Sequence, residues 1–174
     1  MGPIRLLAVV FALCVAGCAT PPVPTGLVMP APDEQGAASL LGSYLLARGW
    51  TVRLAEGARV EARREDEAIT LEPVLDAAGL DRVIVSRHWL RATGADEAEL
   101  RALALELNEA LNVGQFRATP DGLSLQSSLA FLDALDPRLL DAYLVYTAEV
   151  QFAVRQVEGE RNLLAPVEGA SGSR

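Results

Sequence analysis

The feature that most constrains this chain is the way its first apolar run ends. Leu6-Leu7-Ala8-Val9-Val10-Phe11-Ala12-Leu13 follows one early charge, Arg5, and is soon closed by small residues, a cysteine and then Pro21, Pro22 and Pro24. A helix that crosses a bilayer needs about 20 apolar residues without a break. A proline inside a helix removes a backbone donor and clashes with the preceding turn. The run is therefore too short for a retained anchor and has the length of a secretory signal peptide. Residues 1–17 are expected to be removed, so that any globular structure must come from the residues after Gly17.

The junction itself, Val15-Ala16-Gly17-Cys18, resembles the lipobox of bacterial lipoproteins. That resemblance implies cleavage before Cys18, lipid on its thiol and a mature chain tethered to a membrane. One acyl chain binds a bilayer only marginally, whereas the three that the lipoprotein resemblance implies hold durably. Ala19 rather than aspartate follows the cysteine. In lipoproteins of diderm bacteria this leans toward the outer membrane, with the domain facing the periplasm. Residues 18–32 carry Pro21, Pro22, Pro24, Pro30 and Pro32, which disfavour helix and ladder pairing and suit an extended spacer. No PxxP with flanking charges marks it as a recognition ligand.

Cysteine chemistry is excluded on this reading. Cys14 leaves with the signal and Cys18 is acylated, so no thiol remains for a disulfide, a zinc site or a nucleophile. All basic residues are arginine, and loss of Arg5 takes the formal charge from −8 to −9. A surface of that sign disfavours nucleic acid, and anionic headgroups, as ligands of a basic patch. The rest is enough for one compact domain, residues 33–158, followed by a Gly/Ser-rich tail, 159–174, that reads as frayed.

Apolar periodicity gives the element order. A helix begins near Asp33, with Ala37, Leu40, Leu41, Tyr44 and Leu45 at helical spacing and Gly49 as a left-handed stop. Extended pieces occupy 50–54 and 59–63, before a strand pair at 68–75 and 82–91. Pro73 suggests an edge or bulge in the first of that pair, and Arg87 interrupts the apolar face of the second. Asp96 caps a helix whose stripe is Leu100, Leu103, Leu107 and Leu111. Thr119-Pro120-Asp121-Gly122 turns a hairpin, and Asp136-Pro137 opens a long helix reaching about Val157. Leu139, Tyr143, Tyr146, Val150, Val154 and Val157 read as its core face. The fold class is α+β, helices packed on a mainly antiparallel sheet in the order α, two to four β, α, ββ, α.

Four stretches carry a family resemblance: Leu45-Leu46-Ala47-Arg48-Gly49-Trp50-Thr51-Val52, Leu107-Asn108-Glu109-Ala110-Leu111-Asn112 before Phe116, Asp121-Gly122-Leu123-Ser124-Leu125, and Leu139-Leu140-Asp141-Ala142-Tyr143-Leu144. Together, from Leu40 to Val157, the chain resembles the YbjN-like family, with its type III secretion chaperone-like fold. The resemblance implies an α+β domain that binds proteins or self-associates, and it supplies no catalytic residues. The lipobox departs from the usual soluble cytoplasmic members and argues against a cytoplasmic chaperone role.

Site chemistry is sparse. His88 is the sole histidine and, beside Trp89, reads as a strand residue; an enzyme reading would have to be built around it with distant Ser and Asp side chains. Asp96, Glu97 and Glu99 suit the electropositive start of a helix better than a metal or acid/base site. Gly169-Ala170-Ser171-Gly172-Ser173 has no helix after it and so is no phosphate cradle. No catalytic set, metal site or cofactor is expected. What stands out is Val145, Ala148 and Phe152, three and four apart on the side of the last helix away from its apolar stripe. They form the expected binding surface for a protein partner or a second copy, unless the first helix or the segment around Leu163-Leu164 covers them. The expected function is thus a membrane-anchored, non-catalytic binding lipoprotein, against the alternatives of a structural envelope lipoprotein or an enzyme with a site near His88. The address is directly testable. Cys18→Ala should abolish fatty-acid labelling of the protein and leave the precursor unprocessed; unchanged labelling would refute lipidation at this residue.

Overall fold

The structure is a computed structural model that describes residues 27–28, 33–65, 67–76, 80–132 and 134–165. The signal segment, Cys18 and residues 166–174 lie outside the described residues. Among the described residues no helix is long and apolar enough to cross a membrane. The order is β1 (Leu27–Val28), α1 (Glu34–Leu46), β2 (Thr51–Ala55), β3 (Arg59–Arg64), β4 (Glu67–Val74), β5 (Leu80–Leu90), α2 (Glu97–Ala110), β6 (Gln115–Thr119), β7 (Gly122–Leu132), β8 (Ala134–Leu135) and α3 (Pro137–Glu158). It is the expected α+β arrangement of three helices with an antiparallel sheet.

Six strands form that sheet in the order β2-β3-β4-β5-β7-β6, every neighbouring pair antiparallel. Strict alternation along β5 and β7 puts Val83, Val85, Arg87 and Trp89, with Leu123, Leu125, Ser127, Leu129 and Phe131, on the covered face. Arg82, His88, Gln126 and Ser128 point to solvent on the other face, as an antiparallel sheet permits. Pro73 pairs with Val83 but lies beyond the last residue that β3 pairs, Leu71, so its missing N–H breaks no ladder. Gly122 has φ +150°, and a Cβ there would stand 2.0 Å from the Trp89 carbonyl oxygen, so only glycine lets the hairpin approach β5 so closely.

The core has two halves. Leu41, Leu45, Leu71, Val83, Val85, Leu135, Leu140 and Leu144 belong to the first, beneath α1 and the start of α3. Trp89, Leu100, Leu103, Leu107, Phe116, Leu123, Leu125, Val150 and Val154 belong to the second, beneath α2 and the end of α3. Capping follows the sequence. The Asp33 carboxylate accepts from the N–H groups of Gln35 and Gly36, at 3.0 and 3.1 Å, and Gly49 has φ +80°. Asn108 fastens α2 to β6 by both donating to and accepting from the backbone of Phe116, at 2.9 and 2.8 Å.

Three expectations are corrected. The spacer reading of residues 18–32 holds ladder pairing to be disfavoured, yet Leu27 and Val28 pair with Leu135 and Ala134. Both lie between Pro24 and Pro30 and keep their own N–H donors. The buried face of α3 is Leu140, Leu144, Thr147, Val150, Val154 and Glu158. Leu139 and Tyr146, assigned to it by apolar spacing, are exposed, and Tyr143 and Val157 are only partly buried. The spacing misleads because two of the buried positions are polar and are held by specific partners described below. In α1 the same kind of shift exposes Leu40 and buries Ala38 and Gly42.

The third correction is the tail. Residues 159–165 are part of the fold, not frayed: Leu163 and Leu164 are 1% and 4% exposed in the second half-core. Ala92 N–H donates to the Leu163 carbonyl at 2.9 Å and Ala165 N–H to the Leu90 carbonyl at 2.8 Å. Polar composition hides this because the segment is latched by side chains. Glu158 accepts from the Leu164 N–H at 2.6 Å, and Arg155 bonds Glu158 at 2.9 Å and the Leu164 carbonyl at 3.2 Å. Arg161 adds a forked pair to Glu106 on α2, at 3.1 and 2.9 Å. Leu163→Ala should therefore cost about 2–4 kcal/mol in urea denaturation. A frayed segment would show no change.

Candidate functional site

Helix α3 is set by its ends. Asp136 caps it by accepting from the Arg138 N–H at 2.8 Å, and Pro137 occupies the first turn, where its missing donor costs nothing. Gly159 closes the other end at φ +61°. A clamp from the end of α1 and the turn after it holds the start of α3: Arg48 donates twice to Asp141, at 2.7 and 3.1 Å, and its guanidinium lies 3.4 Å over the Tyr44 ring. The Tyr44 hydroxyl sits within 2.9 Å of Asp141 and 2.8 Å of the Pro137 carbonyl. Burial first, and then the hydrogen bond to Asp141, push the Tyr44 pKa well above the usual tyrosine value.

The middle of α3 rests on a buried cation. Arg87 is 5% exposed on the covered face of the sheet, where its Nη2 donates to Thr147 Oγ1 at 3.3 Å and Nε has no partner among the described residues. Thr147 in turn donates to the Leu144 carbonyl at 3.0 Å, and Ser127 donates to the Val85 carbonyl at 3.4 Å. Burial lowers the pKa of Arg87, with Glu67 opposing that shift and Arg64 adding to it. This polar seam lies where the two half-cores meet.

On the opposite side of α3, Val145 is 60% and Phe152 is 76% exposed, seven residues apart and so two turns along one line. Ala148 between them is half-buried. The first helix and the segment around Leu163-Leu164 do not cover this line; they pack on the sheet side instead. Leu139 and Tyr146 are exposed as well, about a third of a turn round the helix to one side of it.

The other sites singled out from sequence separate. His88 lies on the open face of the sheet, opposite Ser124 in the ladder, and its side chain makes no hydrogen bond among the described residues. A shallow pocket of about 290 Å³ there is lined by Glu61, Arg63, Thr70, Ser86, His88 and Ser124. No described carboxylate or hydroxyl orients the imidazole, which is what general-base chemistry asks of a strand histidine. Asp96 is occupied as the cap of α2, accepting from the Ala98 N–H at 2.7 Å, and Glu97 pairs with Arg101. Among the described residues no group of three or more His, Cys, Asp or Glu could hold a metal ion.

No protein-family model matches the chain, and no curated protein does. Among solved structures, the crystal structure of YbjN, a candidate transcription regulator from E. coli, superposes with a TM-score of 0.50 over 74% of this chain and 95% of that one, at 13% identity. The fold is YbjN-like. At that identity the likeness concerns the chain path alone, so the surface of this YbjN-like domain must be read from its own residues.

Sequence reading missed the Arg87–Thr147 seam. Arg87 was visible as an interruption of an apolar face, but its partner sits 60 residues away. We expect Thr147→Val alone to destabilise the domain by about 1–3 kcal/mol, since it strips a buried donor of its acceptor. The double variant Arg87→Met with Thr147→Val should return to within about 1 kcal/mol of the parent or exceed it. A double variant less stable than Thr147→Val would show that Arg87 holds something more than this contact.

Proposed function

We propose that the chain is a lipoprotein, anchored through Cys18 in the outer membrane and facing the periplasm, whose YbjN-like domain is a non-catalytic module that captures a protein or a second copy of itself. The observation that carries the binding part is the bare apolar line of α3. Phe152 and Val145 are exposed in a helix whose other face is fully used by the core. Large apolar side chains on a polar surface mark a contact surface when they are aligned rather than scattered. The Arg48–Asp141 clamp at one end and the bonds of Arg155 and Glu158 to the backbone of Leu164 at the other fix the helix on the domain, so the line is presented on a rigid support.

A nucleic-acid reading, borrowed from the regulator role suggested for the E. coli protein, finds no support in charge. This chain has no lysine and a formal charge of −8. A catalytic reading around His88 lacks the orienting groups described above. The anchor reading rests on the lipobox resemblance at Val15-Ala16-Gly17-Cys18.

The test is Phe152→Asp in the mature domain. Self-association in sedimentation velocity, or retention of an envelope protein in a pull-down, should weaken roughly thirtyfold, as for an anchor residue worth about 2 kcal/mol, while the melting temperature stays unchanged. A variant that unfolds, or one that associates and captures as the parent does, would return this line of α3 to a structural role.

A further inference from the structure

We infer that the end of the domain at which the N-terminal chain joins the fold lies against the bilayer, with Leu80 and Leu132 in contact with a phospholipid surface. The inference rests on the lipid anchor proposed above and adds to it an orientation and a second contact.

The geometry begins at β1. Leu27 and Val28 pair with β8, so the chain arriving from Cys18 enters the fold two to three residues from Leu132. Leu132 and Leu80 face one another in the last pair of the β5–β7 ladder, on the side of the sheet that no described helix covers. They are 68% and 55% exposed. Leu139, in the first turn of α3 directly after β8, is 46% exposed. Two exposed leucines thus stand at the end of the ladder next to the point of attachment.

Charge at this end is mixed, since segments 76–82 and 132–138 hold four aspartates and two arginines. The arginines at 82 and 138 are exposed beside the leucines. The Asp81 carboxylate is buried and accepts from the Asp76 N–H, and that of Asp136 accepts from the Arg138 N–H. The contact therefore rests on the leucines and on the tether, with the arginines at 82 and 138 free of the core to meet headgroup phosphates.

Covalent reach supplies the occupant. Nine residue steps separate Cys18 from Leu27. Whatever their conformation they span at most about 30 Å, so lipid at Cys18 keeps this end, and not the far end carrying α2, near the membrane. Tethering makes the contact intramolecular at an effective concentration on the order of millimolar, so leucines too few to bind a free bilayer suffice here.

The mature lipidated chain has no free cysteine, so Leu132→Cys introduces one thiol for an environment-sensitive fluorophore. Leu105→Cys, at an exposed leucine of α2, is the control. Each lipidated full-length variant is placed in vesicles of phosphatidylethanolamine and phosphatidylglycerol, and acylation at Cys18 is verified by mass spectrometry. The probe at 132 should shift to the blue and be quenched roughly twofold by lipids carrying a nitroxide, while the probe at 105 stays water-like. With Cys18 acylated, a probe at 132 as water-like as that at 105 overturns the docking and leaves the anchor standing. Absence of acyl chains on Cys18 overturns both. A blue shift that grows with protein density and ignores the nitroxide assigns the leucines to a second copy, and this too overturns the lipid contact.

Discussion

The ladder between β5 and β7 is the constraint on which the rest of the structure depends. Each strand has 11 residues and every one is paired, from Leu80 with Leu132 to Leu90 with Gly122. No other described strand of the sheet is as long, and each half-core takes residues from both. Val83, Val85, Leu129 and Phe131 serve one half, whereas Trp89, Leu123 and Leu125 serve the other. A one-residue slip would turn all of them to solvent together. Helix α3, 22 residues or roughly 33 Å long, spans the same two halves from above. Its Leu140 and Leu144 enter the first and its Val150 and Val154 the second. Thr147 sits at the crossing point over Arg87, so the polar seam marks the one depth and rotation at which the helix satisfies both halves.

Much of this was legible in the residues. Asp33, Asp96 and Asp136 announced three helix starts because a short carboxylate before an apolar run is the cheapest partner for free N–H groups. Alternation in Leu123, Leu125 and their polar neighbours announced the covered face. The pieces that were not legible share one physical cause. Thr147, Glu158 and Arg87 are polar residues in buried positions, and each is there because of a partner distant in sequence or in a neighbouring loop. Periodicity sorts residues by their own polarity and cannot register such a partner. It therefore rotated the face of α3 toward Leu139 and Tyr146, and it left the latched segment through Ala165 as tail. Of the surface argued to bind, Val145 and Phe152 were visible as a second stripe, because they are apolar where the helical period places Asp141 and Arg155.

The two faces of α3 also divide labour. Its sheet side is specified tightly, by Arg48 and Tyr44 on Asp141, by Arg87 on Thr147 and by Glu158 on the Leu164 N–H. Its outward side carries few obligations to the fold. Residues there can change with little loss of stability, since surface substitutions away from such contacts are close to neutral. A YbjN-like path is kept here at 13% identity over 74% of the chain, so the surface residues of α3 are this chain's own.

The pairing of Leu27 and Val28 with β8 has a mechanical side. Two residue pairs are the shortest named ladder among the described residues, and so small a unit opens far more readily than the 11-residue pairing of β5 with β7. If Cys18 carries the lipid proposed above, a pull from that residue falls on these pairs before it reaches the helices or the large sheet. Nine residue steps separate Cys18 from Leu27 and fifteen separate it from Asp33, with covalent limits of about 30 and 50 Å. With the anchor proposed above, the small ladder would be the first part of the fold to yield to load, ahead of the 11-residue pairing of β5 with β7.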